Sequence, residues 1–582
     1  MAIYAPSESP AVVTREIDLT NGVPNVPTST GVIVGDFRWG PVNEPILINN
    51  EGTLVATFGT PSDTTSVDFH SASYYLRYSS DLLVIRGMDS NTGVNAFETG
   101  GTRDDITVKN DTDFESQIST ATAVGHTFIA RHPGDLGNSI KVEVIGSNHA
   151  DPTNASYHTD FDAWAYKNNY DTGPGTSAHT ANIGGKNDEV HVAVIDTTGL
   201  ISGIKMSVLE TYPYISQAKG AQNADGTNNY IVDAINTRSR YIRMVTFPTG
   251  MGTGAGSAAT TTSDMKLSAP VAVTLTTGEN SDPLEVGDYQ LCYDLIDDPA
   301  QYLIDFIIAP SLNGSTDHVT LVNHLTSIAA QTRKDCMVFA SPMRTGVVNS
   351  PATANASILT GLKNLTRSSY LSVDNNFLKV YDKYNDKYIH IPAASSTAGL
   401  CAATDNNFAP WVSPAGTRRG QYFGVTGLTY NPNKSQRDQL YRNGINPVTN
   451  MPGNGILLFG DKTHLDRPSA FDRINVRRLF LVIERAIAEA AKNILFEFND
   501  EFTRAEFVNI IEPLLRDIKG RRGITDFRLV ADETNNSPEI IDTNQFVASL
   551  FIKPARSINF ITLNFVAVRT GVSFEEVVGQ AT

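Results

Sequence analysis

Cysteine is nearly absent from this chain, with three in 582 residues, which excludes a disulfide scaffold. Long apolar runs are missing too. No stretch of ~18 apolar residues occurs, so no helix is expected to span a membrane. The N-terminal MAIYAPSESPAVVTRE has no basic segment followed by an apolar one, and a secretory signal is not expected. Positive charge is in deficit: 45 Lys+Arg stand against 62 Asp+Glu, for a net charge of −17. That argues against nucleic acid as the main partner. Hydrophobic residues are not in short supply at 41%, which excludes wholesale disorder.

The patterns that carry chemistry are missing as well. The 11 histidines form no His-Glu-x-x-His, and no His/Cys pair stands at zinc spacing. No Gly-x-Ser-x-Gly elbow occurs. Asp111, Asp113 and Glu115 alternate, but without the glycine and distal bidentate Glu of a calcium loop. Gly455–Thr463 nearly spells a phosphate loop, yet Asp461 stands where Lys must follow the second Gly. Cys292, Cys336 and Cys401 sit in or beside apolar runs and read as buried spectator thiols. No enzyme activity, cofactor or metal is expected.

What is present is uneven. Residues 400–582 carry 21 basic and 20 acidic side chains, whereas residues 1–399 carry 24 and 42. This fits a C-terminal part that meets a surface of its own, or simply a near-neutral domain. Residues 1–22 are polar around one alternating patch, Val12, Val13, Ile17 and Leu19, and read as an extended arm. Residues 23–98 read as α/β core, with strands at Gly31–Gly35 and Leu82–Arg86 around a helix near Asp68–Tyr78. Residues 99–290 are rich in Gly, Asn, Asp and Thr, with short alternating runs such as Lys141–Ile145 and Val190–Ile195. They read as one or two β-rich surface domains. Residues 291–395 return to a β-α-β rhythm, with strand Ile304–Ala309, helix Asp317–Ala330 and strand Cys336–Ala340, which favours parallel pairing. Residues 396–560 form a C-terminal domain and residues 561–582 a closing arm. The expected class is a mixed α+β and α/β multidomain chain.

The C-terminal third is the most specific. Leu479, Val482, Ile483, Ile487, Ala490, Ala491, Ile494 and Phe498 predict an amphipathic helix over Arg473–Phe498. Arg478, Arg485 and Lys492 are seven apart and line up on another face, drifting ~20° per step. Such a stripe suits docking on an acidic surface; a solvated face is the plain alternative. A second helix is expected to begin at Thr503, boxed with Glu506, and to end at Gly520, kinked or shortened by Pro513. Strands are expected at Asp526–Ala531, Phe546–Ile552 and Ile558–Arg569. In the last, Ile561, Leu563, Phe565 and Ala567 share one parity while Phe560, Val566 and Val568 share the other, so both faces want burial. Strand-forming ends at both termini suggest strand addition between subunits; pairing within one chain is the alternative.

Asp472-Arg-Ile-Asn-Val-Arg-Arg-Leu-Phe-Leu-Val-Ile-Glu484 resembles the helix signature of contractile-tail sheath proteins of myovirus bacteriophages, R-type pyocins and related injection machines. Ile391–Asp405, Ala409–Gly416, Asn536–Asp542 and Ile552–Asn564 are similar to further stretches of that family. Gly35-Asp-Phe-Arg-Trp-Gly-Pro41 and Phe58-Gly-Thr-Pro61 are similar to the start of large-phage sheath proteins. The resemblance covers residues 1–95 and 300–582. It implies a sheath core completed by N- and C-terminal strand-exchange arms, with the β-rich insertion outside. It also implies hexameric rings stacked around a tail tube that contract without a nucleotide, with tube, baseplate and tail terminator proteins as partners. The signature helix would then face the tube through Arg477, Arg478, Arg485 and Lys492, and the arms would act through the residues named above. A baseplate or adhesin-like protein, binding a host receptor through its Gly/Asn-rich middle, is the alternative.

Overall fold

Short runs of apolar β-formers build the centre of the molecule. The computed structural model describes residues 29–89, 92–98, 107–123 and 125–557. The arm residues Val12, Val13, Ile17, Leu19, Ile561, Leu563, Phe565 and Ala567 lie outside this set.

Seven strands form one sheet in the order Ile445–Asn446, Leu371–Asp374, Met337–Ala340, Phe306–Ile308, Gly31–Gly35, Leu82–Arg86, Pro45–Ile48. All neighbours pair parallel except Pro45–Ile48, which runs antiparallel to Leu82–Arg86 at one edge. Both faces are covered. Val32, Val34, Leu83, Ile85, Ile307 and Val338 pack under helices Val286–Asp294, Ser315–Ser327, Ala354–Gly361 and Lys434–Arg442. Ile33, Leu82, Val84, Phe306, Ile308 and Phe339 pack under helices Ser66–Tyr75 and Ala394–Asn407. Helices on both sides of parallel strands make a doubly wound layer, which is why these strands read as unbroken apolar runs.

A second seven-stranded sheet is wholly antiparallel, in the order Ser207–Ser216, Glu189–Asp196, Ile140–Gly146, Val271–Thr276, Asn95–Glu98, Phe128–Pro133, Ile242–Met244. It has its own core, from Phe128 and Val142 to Ile235 and Leu275. Its chain enters and leaves side by side, with Val94 and Glu279 exchanging backbone hydrogen bonds of 3.0 and 3.1 Å. The middle of the chain is therefore one insertion into the core. Three expected boundaries shift. Asn95–Glu98, expected in the core, pairs in the insertion sheet. Helix Val286–Asp294, which the expected break at 290 would cut, packs on the parallel sheet through Cys292 and Tyr293. The expected break at 395 falls inside helix Ala394–Asn407, and Ile445–Asn446 still extends the parallel sheet. The insertion is fastened by Arg38, paired with Asp135 at 2.9 Å, and by buried Arg86, which donates to the carbonyls of Gly40 and Pro133 at 2.9 Å. Gly134, at φ +135°, is required here, because a Cβ would lie 2.8 Å from the Arg38 carbonyl.

The described residues divide into two compact units, one running to Ala486 and one starting at Ile487. The second contains helix Glu501–Gly520 and an antiparallel pair, Ile524–Val530 with Ser549–Pro554. The helix starts earlier than expected. Asp500, not Thr503, is its cap, accepting the Thr503 amide at 2.9 Å. Pro513 lies inside the helix without ending it. It sits on the exposed side, where the carbonyl it leaves free meets water.

Candidate functional site

Helix Ile474–Lys492 is the element singled out by the sequence, and it stops six residues short of the expected Phe498. Its apolar face is buried at Leu479 and Ile483, as the spacing requires. The basic stripe is the surprise. Arg477, Arg478 and Arg485 are only 7%, 3% and 9% exposed. They are neither a solvated face nor a free contact surface, and the expectation of an exposed arginine row is corrected.

Each guanidinium has a partner inside the chain. Arg478 pairs with Asp405 on helix Ala394–Asn407 and lies 5.2 Å from the Phe306 ring centre. Burial alone would lower its pKa, but the Asp405 carboxylate outweighs that and holds it above the ordinary value. Arg485 reaches Asp305 at 2.6 Å and donates to the carbonyls of Ile304 and Asp335 at 2.7 and 2.9 Å. The other Asp305 oxygen accepts the Thr30 amide at 3.0 Å, so one carboxylate ties this helix to two core strands. Burial pushes the Asp305 carboxyl up, and Arg485 works against it. Arg477 lies between the rings of Tyr370 and Phe471, 4.2 and 4.1 Å from their centres, and donates to Ser369 at 2.7 Å. Burial lowers its pKa. These arginines anchor the helix to the doubly wound layer. Lys492 alone of the four is exposed, at 63%, in a surface pair with Glu489 at 2.6 Å.

Sequence reasoning missed the acids of this network. Asp305 had a signal: it is the one charge inside the apolar run Ile304–Ala309. Asp405 had none, because sequence spacing cannot place residue 405 beside residue 478.

In open parallel sheets, ligands settle outside the carboxyl ends of the strands, at the point where strand order reverses. Here that point lies between Gly35 and Ile308, and side chains fill it. The Tyr293 hydroxyl donates to the Ile308 carbonyl at 2.6 Å and accepts the Val34 amide at 3.3 Å. Asp68 accepts the Asp36 amide at 2.9 Å. Burial pushes Asp36 up to about 6, against Arg86, and Asp68 up to about 7. Further along, the Ser341 hydroxyl contacts both Asp374 oxygens at 2.9 Å, and burial pushes Asp374 up to about 8.

The false phosphate loop is a strand, Gly455–Leu458, and its turn. Lys462 donates to the Tyr441 carbonyl at 2.8 Å, and Asp461 pairs with Arg473 at 3.0 Å. The three cysteines are buried, which pushes the Cys292 and Cys401 thiols up to about 12. Among the described residues, no cluster could hold a metal ion and no helix is long and apolar enough to cross a membrane.

In the second unit, the strands Ile524–Val530 and Ser549–Pro554 pair with each other and with no other strand among the described residues. Among the described residues no strand pairs with their outer edges, and most of their side chains are half-buried or exposed, Phe551 among the exposed ones. A two-stranded ribbon of this kind is marginal alone and is a template for further strands.

Family models match three stretches: the tail sheath protein Gp18 domain III N-terminal region at 28–86, the phage tail sheath protein central domain at 287–464, and the phage tail sheath C-terminal domain at 466–567. The tail sheath proteins of Vibrio phage KVP40 and Enterobacteria phage T4 are each 31% identical, over 98% of this chain and 99% of theirs. The chain belongs to the phage tail sheath protein family. The insertion lies between the first two of these family models and within the span that the sheath relatives cover. The same fold occurs in crystal structures of sheath tail proteins from Listeria innocua and Desulfitobacterium hafniense. The first has a TM-score of 0.55 at 14% identity, covering 92% of this chain and 93% of that one. The second has a TM-score of 0.51 at 12% identity, covering 93% and 100%.

Proposed function

We propose that this chain is the repeating subunit of a contractile tail sheath, stacked as hexameric rings around the tail tube. Contraction of the stack drives the tube through the host envelope. Its partners are other copies of itself, the tail tube protein, and the baseplate and tail terminator proteins. It works in the virion tail after assembly in the host cytoplasm, without nucleic acid, membrane insertion, nucleotide or cofactor. The energy is held in packing between subunits that improves on contraction.

The observation that carries this reading is the two-stranded ribbon of the second unit, which among the described residues pairs with no third strand. Arm residues Val12, Val13, Ile17 and Leu19, and Ile561, Leu563, Phe565 and Ala567, are the strands that would extend it in neighbouring copies. A mesh tied by strand exchange keeps subunits connected while their domains rotate. With Arg477, Arg478 and Arg485 engaged inside the chain, Lys492 is the member of the basic set left to meet the tube.

The test is to express the chain alone and look by negative-stain electron microscopy. Long striated tubes are expected. Deleting residues 1–20, or residues 558–582, leaves monomers or isolated rings. Normal tubes from both deletions would sink the strand-exchange mechanism.

A further inference from the structure

The turn that joins helix Ile474–Lys492 to helix Glu501–Gly520 places Leu495, Phe496, Phe498 and Phe502 in water. Phe496 holds a left-handed backbone, φ +73°, which bulky side chains rarely adopt. Phe546 and Val547 extend the patch. Asn499 donates to the Gln545 carbonyl at 2.7 Å, and Phe546 stands edge-on to Phe507 at 5.2 Å. Six large apolar side chains gathered at one end of a unit mark a contact surface rather than a scatter of single residues.

Acidic side chains outnumber basic ones around it, Lys492 being an exposed cation at its edge and already paired with Glu489. Glu497, Asp500, Glu501 and Glu506 rim the patch, and all four are exposed. Arg504, two residues after Phe502, is buried and turned onto Asn499 at 3.0 Å. The far end of the 20-residue helix, ~30 Å away, carries the opposite sign. There Arg516, Lys519, Arg521 and Arg522 are exposed, and with Arg528 and Lys553 they outnumber the carboxylates of Glu512, Asp517 and Asp526, which pair with Arg516, Arg521 and Lys519. Acid at a helix start and base at its end also suit the helix dipole. The dipole accounts for the charges but not for the phenylalanines.

We infer that the aromatic, acid-rimmed end of the second unit docks on the basic end of the same unit in a second copy of this chain. One element carries both halves of a complementary contact at its two ends. Such a head-to-tail contact is heterologous, so each copy offers a free acceptor to the next, and the contact repeats from copy to copy in a ring or along a stack. The inference rests on the sheath reading and names a contact of the sheath with itself.

The test measures the critical concentration for polymerisation of the full-length chain by sedimentation, with and without purified tail tubes. Thermal melting serves as the folding control. Phe496→Ser/Phe498→Ser/Phe502→Ser, Glu497→Lys/Glu506→Lys and Arg521→Glu/Arg522→Glu should each raise it by about tenfold or more. All these side chains are exposed, so the melting temperature should hold. Combining the two charge reversals should restore polymerisation close to that of the unaltered chain. An aromatic variant that polymerises normally would overturn the inference, as would charge reversals that fail to rescue each other. Loss confined to assembly on tubes would overturn it in favour of the tube as occupant. An unaltered chain that polymerises under neither condition would overturn the sheath reading itself, a result visible before any variant is made.

Discussion

The three arginines of helix Ile474–Lys492 show how far one residue's meaning depends on its surroundings. Arg478 and Arg485 have the spacing of a surface stripe, yet their heads, like that of Arg477, are buried against Asp405, Asp305, Ser369 and aromatic rings. Arg478→Ala leaves the Asp405 carboxylate buried without its cation, and should cost about 3–5 kcal/mol in chemical denaturation. Lys492→Glu removes only an exposed pair and should change monomer stability by less than about 1 kcal/mol. Asp374 makes a pH prediction. Its folded pKa is about 8 against an ordinary 3.8, so the folded state holds this proton more tightly than the unfolded chain. The stabilisation is fully present below about pH 4 and is lost as pH rises through 8. Asp374→Asn should therefore gain stability relative to the unaltered chain between pH 5 and 9, by an amount on the order of a few kcal/mol. Equal pH slopes for the two proteins would show that Asp374 is ionised throughout.

Elements were legible where a period was carried by many residues. Strands Gly31–Gly35 and Leu82–Arg86 stand where the apolar runs place them, because a buried parallel strand needs nothing but β-formers. The ends of elements were less legible. Helix Ile474–Lys492 stops before Ile494 and Phe498, although both continue the stripe, because the chain enters a turn over 493–496 that ends with Phe496 in the left-handed region. The start of the next helix was misplaced for a local reason: Asp500 and Thr503 are both capping residues, and Asp500 is the one used. Asp500→Ala should cost about 1 kcal/mol by thermal or chemical melting, and Thr503→Ala less. The reverse order would return the cap to Thr503.

For the whole molecule, the insertion is the main question. Its sheet has a separate core, and its two crossings lie side by side at Val94 and Glu279. Replacing residues 95–278 with a short linker should leave the doubly wound layer folded, with a single cooperative transition in calorimetry. A chain that no longer folds would show that the Arg38, Trp39 and Arg86 contacts to the insertion are structural supports of the core.

The sequence by itself determined the mixed α/β class of the chain, the absence of familiar catalytic patterns along it, and a family signature in the C-terminal third. Each of these depends on neighbours along the chain, which periodicity and spacing report directly. Only the tertiary structure decided that Arg478 and Arg485 of the basic stripe are internal anchors, that the insertion begins at the strand Asn95–Glu98, and that Phe496, Phe498 and Phe502 face water. These depend on residues brought together from 73 or 180 positions apart, as in Arg478–Asp405 and Arg485–Asp305. Whether a charge is solvated or buried is set by what folds over it, and no local pattern records that.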